Sequence, residues 1–335
     1  MNNMYDVITF GSASRDILIK STKFISTKGD IFPTGKGFCL PVGSKIEVEN
    51  IIFSVGGGGT NTAAVFAKLG FSTAYCGMVG DDLAGKNIAL ELTKIGINSD
   101  FICFNKKTST NHSIIISNKN LDRTILVWRG SSDLLSKKDI PWQKIKNSRW
   151  FYIAPLSGQA AKLTEDLIDF AYKNKIKIAL NPGYNQLKLS PKITQKILKK
   201  VDILILNQEE ASLLTGISYI KENEIFKKLD ELVDGIAIMT KGDLGATASD
   251  GKYIYKIPAL KSAVVDKTGA GDSFGAGFVA NLLNSKNNIK DIEKALQFAI
   301  ANSASCLTKF GAKQGLLSKG QKFKKVKVSK QTCLN

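Results

Sequence analysis

Short apolar runs recur along the chain at 7–10, 73–79, 150–153, 176–180, 202–206 and 235–239, each closing on glycine, proline or polar residues. Between the later runs lie stretches of helical length, at about 159–173 and 191–199. Regular strand–helix alternation predicts a parallel sheet with helices on both faces, and polar residues just past the strand ends mark the ligand-binding edge. Two regions break this rhythm. Residues 17–53 and 101–127 alternate β-like pieces with glycine and proline or polar breaks and lack any long helical period. They predict a small sheet standing off the main body, and His112, the one histidine, falls within it.

The stretch 263–280, AVVDKTGAGDSFGAGFVA, organises the rest. Val264-Val265 reads as a strand end, the chain breaks at Thr268-Gly269-Ala270-Gly271, and Phe274, Phe278 and Leu282 then follow at helical spacing. A glycine-rich turn feeding a helix leaves backbone N–H groups unpaired and pointing one way, which favours anions. Asp272 sits in the first turn. A loop built only to hold phosphate calls for lysine there, whereas a carboxylate facing a hydroxyl acts as a general base. The plainer alternative is that Asp272 starts a helix and the glycines make a turn.

The flanks extend this pattern. DKTGAGDSFGAGF resembles the signature of the ribokinase-like (PfkB) carbohydrate kinases, whose core is D-x-T-G-A-G-D. The resemblance runs from about residue 7 to 312 and implies a three-layer α/β/α sandwich with a mostly parallel central sheet and a small β lid. One domain over 1–317 is expected, its lid formed by about 15–53 and 101–128, followed by a basic tail over 318–335. The implied reaction is phosphoryl transfer from ATP to a sugar hydroxyl. The resemblance makes Asp272 the base and the amides of Gly269, Ala270 and Gly271 the anion hole.

Other loops carry the same resemblance in the same order. Gly11 to Asp16 keeps a G-x-x-x-x-D spacing, and the run 55–63, VGGGGTNTA, matches G-G-x-G-x-N. Asp16, Gly57 and Asn61 are thereby implied to hold the acceptor. Gly58 stands where many ribokinases carry lysine, which leaves open a nucleoside kinase of the same fold. Asn181, the loop Thr240, Lys241, Gly242 and Gly245, and Asn302 are implied on the nucleotide side. Asn207 and Glu210, an N-x-x-E at a strand-to-helix turn, are implied to order Mg²⁺, partly through water; a helix cap reads the same tetrapeptide equally simply. Asp266 with the carbonyls of Thr268, Cys306, Lys309 and Gly311 is implied to hold a monovalent cation such as K⁺. The stretch from Gly80 to Asn87 approaches a P-loop, but Asn87 cannot replace its Ser/Thr, and Asp81 and Asp82 repel phosphate. The G-x-G-x-x-A at 275–280 falls inside a helix, which excludes a dinucleotide turn.

Composition narrows the remaining choices. The formal net charge of +18 comes mostly from lysine, with four arginines (Arg15, Arg123, Arg129, Arg149). Base readers favour arginine, and the lysines are spread along the chain, so no nucleic-acid partner is expected. The densest run, 319–330, reads as a solvated end. No apolar run approaches a membrane span, the start is unlike a signal peptide, and five scattered cysteines fit free thiols in the cytoplasm. A small-molecule sugar or nucleoside is the expected partner, and the resemblance, in whose members lid sheets often pair between subunits, makes a homodimer through the lid a possible assembly.

Overall fold

The computed structural model describes residues 5–30, 32, 35–118, 123–284 and 291–333. Positions 1–4, lid positions 31, 33, 34 and 119–122, residues 289–290 of the last expected helix, and 334–335 of the expected tail lie outside the described residues. In chain order the strands are β1 (Tyr5–Phe10), β2 (Ser14–Lys20), β3 (Ile25–Lys28), β4 (Lys36–Cys39), β5 (Asn50–Gly56), β6 (Thr73–Gly80), β7 (Ile97–Asn105) and β8 (Asn111–Ser117). They continue as β9 (Arg123–Trp128), β10 (Ser148–Ile153), β11 (Lys177–Leu180), β12 (Ile203–Asn207), β13 (Ile236–Thr240), β14 (Ala246–Ser249), β15 (Tyr253–Ile257) and β16 (Ser329–Thr332). The main helices are α1 (Gly58–Lys68), α2 (Leu83–Lys94), α3 (Leu163–Lys173), α4 (Pro191–Leu198), α5 (Gln208–Thr215), α6 (Glu222–Leu232), α7 (Ala270–Asn284) and α8 (Ile292–Cys306).

Among the described residues a ten-stranded sheet runs in the order β16-β15-β14-β13-β12-β11-β10-β1-β6-β7. Pairing is parallel from β7 across to β13, and antiparallel through β14, β15 and β16. Strands such as β6 are buried throughout because helices cover both faces. Side-chain alternation sorts β10 between two cores. Trp150 and Tyr152 join Phe66 and Phe278 on one face, while Phe151 and Ile153 join Phe10 and Phe226 on the other. This is the expected three-layer sandwich.

A four-stranded sheet, β5-β2-β8-β9, stands apart as the small lid, with β3 and β4 as a separate hairpin. Two details differ from the sequence reading, the extent of the second lid segment and the fate of the tail. Residues 101–105 belong to β7, which pairs with β6 at the edge of the main sheet and buries Ile97, Phe101 and Ile102, so the second lid segment is β8 and β9 alone. Asp16 lies within lid strand β2, inside the expected first lid segment, and is buried. The expected solvated end docks on the body: Phe323 meets Phe298 edge-on at 5.3 Å, Val326 and Val328 pack against the core, and β16 extends the main sheet. Its lysines face outward and hid this apolar alternation from a compositional reading.

Asp82 has a structural part. It caps α2 by accepting from Gly85 N at 2.8 Å, and it accepts from Thr110 N at 2.8 Å and Thr110 Oγ1 at 2.7 Å. Burial alone would raise its proton affinity, but these bonds outweigh it and hold the carboxyl below its ordinary value. A carboxylate at that helix start is incompatible with phosphate binding. All five cysteines are free. Among the described residues no helix is long and apolar enough to cross a membrane.

Candidate active site

Two helix starts meet above the carboxyl ends of β1 and β10. Thr9 Oγ1 on β1 donates to Gly59 O at 2.9 Å, tying the first turn of α1 to the sheet. Gly57 precedes α1 with φ +94°, and a Cβ there would lie 2.4 Å from Ser12 O. Glycine is required because no side chain fits between this turn and the loop after β1. Gly56 lies equally close to Asp16, since a Cβ at 56 would lie 1.9 Å from Asp16 Oδ2. Asp16 Oδ1 accepts from Ser14 Oγ at 2.7 Å.

The second helix start is α7. Its first backbone bond runs from Ser273 N to Gly269 O at 2.8 Å, so the amides of Ala270, Gly271 and Asp272 precede the helical ladder. Gly269 adopts φ +77°, and a Cβ there would lie 2.3 Å from Ala312 Cβ. Around Gly271, in contrast, a Cβ would meet nothing within 4 Å. The turn is thus packed behind Gly269 and open before Gly271, as an anion cradle must be.

Asp272 is recessed beside that opening, with Oδ2 accepting from Asn61 Nδ2 at 2.8 Å. Burial raises its proton affinity, against opposing pulls from Asn61 and the nearby Lys313 ammonium. A base with raised affinity is better matched to taking a proton near neutrality. Asn61 Oδ1 in turn accepts from Lys313 Nζ at 2.6 Å. Sequence reasoning missed Lys313. The available signal was a charge inside 311–317, where Ala312, Gly315, Leu316 and Leu317 are buried.

Glu210 lies near enough to Asp272 to feel its charge. It forms a reciprocal cap with Asn207 at the start of α5: Glu210 N donates to Asn207 Oδ1 at 2.8 Å, and Asn207 N donates to Glu210 Oε2 at 2.8 Å. Burial is the main cause raising the proton affinity of Glu210, with Glu209 and Asp272 adding to it. Among the described residues no group of three or more His, Cys, Asp or Glu is placed to hold a metal ion.

The loops around Asp266 also converge. Asp266 Oδ1 accepts from Thr268 N at 2.9 Å and Thr268 Oγ1 at 2.8 Å, and Oδ2 accepts from Gly311 N at 2.9 Å. Lys309 N reaches Cys306 O at 3.4 Å, and Cys306 Sγ lies 3.7 Å from Thr268 O. Arg123 from the lid joins them, 3.4 Å from Asp266 Oδ1 and 3.2 Å from Thr268 Oγ1, a contact sequence reasoning did not foresee.

The expected nucleotide side is less uniform. Asn181 donates to Ile205 O at 3.0 Å, and Thr240 Oγ1 to Leu206 O at 3.3 Å, both at strand ends on the ligand edge. Lys241 N closes the loop onto Gly245 O at 2.8 Å. Its ammonium is held by Glu222 at 2.8 Å, so the loop offers Gly242 and its backbone rather than that charge. Asn302 does not join the cleft. It is 0% exposed, donating to Ser273 O at 2.8 Å and accepting from Leu317 N at 3.0 Å, and so locks α7 to α8.

A family model described as "pfkB family carbohydrate kinase" matches residues 6–319. A ribokinase of Haemophilus influenzae is 27% identical over 282 residues, covering 82% of this chain and 88% of that protein. A probable fructokinase-5 of Arabidopsis thaliana is 26% identical over 299 residues, covering 84% and 90%. Arabidopsis thaliana ribokinase, solved with ribose and ATP, superposes with a TM-score of 0.75 at 22% identity over 94% of this chain and 96% of that one.

The two glycines of the turn separate structure from chemistry. Gly269→Ala should destabilise the fold by about 1–3 kcal/mol through strain and overpacking. Gly271→Ala should leave stability within about 1 kcal/mol of the parent, since alanine is the better helix former, yet lower turnover by crowding the open side. Urea midpoints beside ATP-dependent turnover read both; equal stability losses would contradict the packed-behind, open-in-front geometry.

Proposed function

The chain belongs to the pfkB family of carbohydrate kinases, and on that premise we propose that it moves the γ-phosphoryl group of ATP to a hydroxyl of a small sugar, with Asp272 as general base. The observation that carries this reading is the recessed Asp272 carboxylate, pinned by Asn61 at 2.8 Å, beside the unpaired amides at the start of α7.

Asp16, Gly57 and Asn61 would hold the acceptor, whose reacting hydroxyl faces Asp272. Asp272 takes the hydroxyl proton as the new O–P bond forms and the bond to the leaving ADP oxygen breaks. The amides of Gly269, Ala270 and Gly271 would meet the negative charge on the transferring group. Asn181 and the loop from Thr240 to Gly245 line the donor side. Glu210 and Asn207 would order Mg²⁺ partly through water, since Glu210 already feels the charge of Asp272 and a hydrated divalent ion would relieve that repulsion. The ion would supply charge neutralisation of the phosphates.

Asp272→Asn should cut turnover by about 10²–10⁴-fold while ATP affinity stays within about twofold. Its raised proton affinity means folding favours the protonated acid. The stability tied to this group is full below the ordinary value of about 3.9 and falls as pH rises through the raised one. Asp272→Asn should therefore unfold no earlier than the parent at pH 7. Activity should run the opposite way in the parent, with kcat/KM declining as pH falls through a midpoint above about 3.9. Near-parental turnover in the variant would refute the base.

Substrate class rests on a panel of pentoses, hexoses and nucleosides assayed for ADP release. Gly58 favours a second reading, a nucleoside kinase. A Cβ at 58 would lie 3.2 Å from Pro155 Cδ, 3.3 Å from Ala154 Cβ and 3.5 Å from Asp272 Oδ1, so glycine keeps any side chain at this position away from the base, where a lysine would reach the acceptor. ADP release with nucleosides and none with sugars would select it.

K⁺ as an activator rests on the resemblance, which assigns it the Asp266 carboxylate and the carbonyls of Thr268, Cys306, Lys309 and Gly311, and on the contacts that bring Thr268 and Gly311 onto Asp266. Such an ion would fix the turn; equal turnover in K⁺ and tetramethylammonium would remove it, leaving the Arg123 guanidinium to serve Asp266. A homodimer through the lid rests on exposed apolar residues, including Phe53 on β5 and Leu126 and Trp128 on β9. Sedimentation equilibrium should give twice the chain mass, and a monomer at micromolar concentration would count against it.

A further inference from the structure

Lys313 is a cation brought deep into the acceptor side of the site from a loop far away in sequence. Its Nζ donates to Val55 O at 2.5 Å, Thr60 Oγ1 at 3.0 Å and Asn61 Oδ1 at 2.6 Å. An ammonium has three donors, and these partners use all of them. The group is therefore committed to the protein, with no donor left for a substrate. It also occupies a chain of contacts that ends on Asp272. Asn61 accepts from Lys313 with its carbonyl oxygen and donates to Asp272 Oδ2 with its amino group. The reverse amide orientation would set –NH₂ against the ammonium and C=O against the carboxylate, two repulsions in place of two charge-assisted bonds.

We infer that Lys313 is a positioning residue for phosphoryl transfer: its ammonium fixes the direction of the Asn61 amide, which pins Asp272 Oδ2 and leaves Oδ1 for the acceptor hydroxyl. The inference rests on the reading of Asp272 as base. Oδ1 is the oxygen that faces Gly58, 3.5 Å from where a Cβ would stand, on the side kept clear by that glycine. The loop that delivers Lys313 also shapes the anion turn, since Ala312 packs against Gly269 and Gly311 N bonds Asp266 Oδ2 at 2.9 Å. One short segment thus sets both the base and the amides it works beside.

The charges around Lys313 come from four elements: Asp16 on β2, Asp272 on α7, Glu91 on α2 and the Cys306 thiol on α8. Burial outweighs the acidic neighbours and pulls the ammonium down to about 8.

The test needs no acceptor. With carboxyl-¹³C aspartate in the full chain, the Asp272 signal is identified by its loss in Asp272→Asn and titrated in the parent, Lys313→Met, Asn61→Ala and the double variant. Lys313→Met should raise the Asp272 midpoint by about one unit, tenfold in proton affinity, and by clearly less once Asn61 is already alanine, when only the through-space pull of the ammonium remains to be lost. Lys313→Arg should restore most of the parental value. An unmoved midpoint in Lys313→Met overturns the inference, as does a shift of the same size without Asn61, which would mean direct action through space. Should Lys313→Met fail to fold, Lys313→Gln, which offers Asn61 a donor without the charge, takes its place in the aspartate titration, and an unmoved Asp272 midpoint there overturns the inference. Parental turnover in Asp272→Asn would remove the base while leaving this titration intact, so the two failures are separable.

Discussion

A helix start whose leading amides have no partner inside the helix is the constraint from which the rest follows. Such amides must face water or an anion, and at α7 they face an opening rather than a packed wall. Gly269 makes this possible by taking a left-handed backbone against Ala312, where a side chain cannot enter. The same turn puts a carboxylate into the opening it creates. An acid in that position has its proton affinity raised by burial, and only the bond from Asn61 and the charge of Lys313 pull the other way. The balance of those three effects leaves a carboxylate with proton affinity above its ordinary value, which suits it to accept a proton.

The fold brings these groups together from remote parts of the chain. Parallel order across β6, β1, β10, β11, β12 and β13 gathers the strand ends along one edge, and α1, α5 and α7 all start there. Lid strand β2 carries Asp16 from the far side, and lid strand β9 sends Arg123 to Asp266. Contact between Asn61 and Asp272 closes a sequence gap of 211 residues, and that between Lys313 and Asn61 one of 252. The site therefore exists only when the sandwich, the lid and the last loop are all in place.

The alternation of short apolar runs with helical stretches made the sandwich legible, and D-x-T-G-A-G-D made the turn legible, because both are encoded locally. The second lid segment was overextended because β-rich residues 101–105 look alike in either sheet, and only their pairing with β6 assigns them. Lysines in 319–330 concealed Phe323, Val326 and Val328, whose role depends on a surface formed by α8 and β15. Asn302 was expected at the nucleotide, but both ends of its amide are used inside the protein. Asn207 and Glu210 form the cap that the tetrapeptide allowed, which leaves a metal role to be added rather than replaced. Lys313 could not be read locally, since its partners are set by a loop folding back across the whole domain.

The central claim is that the amides of Gly269 to Gly271 meet the transferring phosphoryl group while the Asp272 carboxylate takes the proton of the hydroxyl that attacks it. A crystal structure with ADP, aluminium fluoride, Mg²⁺ and the acceptor found by the panel tests it most directly. The account predicts the planar fluoride within hydrogen-bond distance of those amides and the acceptor hydroxyl against Asp272 Oδ1. A fluoride group bound away from the turn, or an acceptor whose hydroxyl is turned from Asp272, would contradict it.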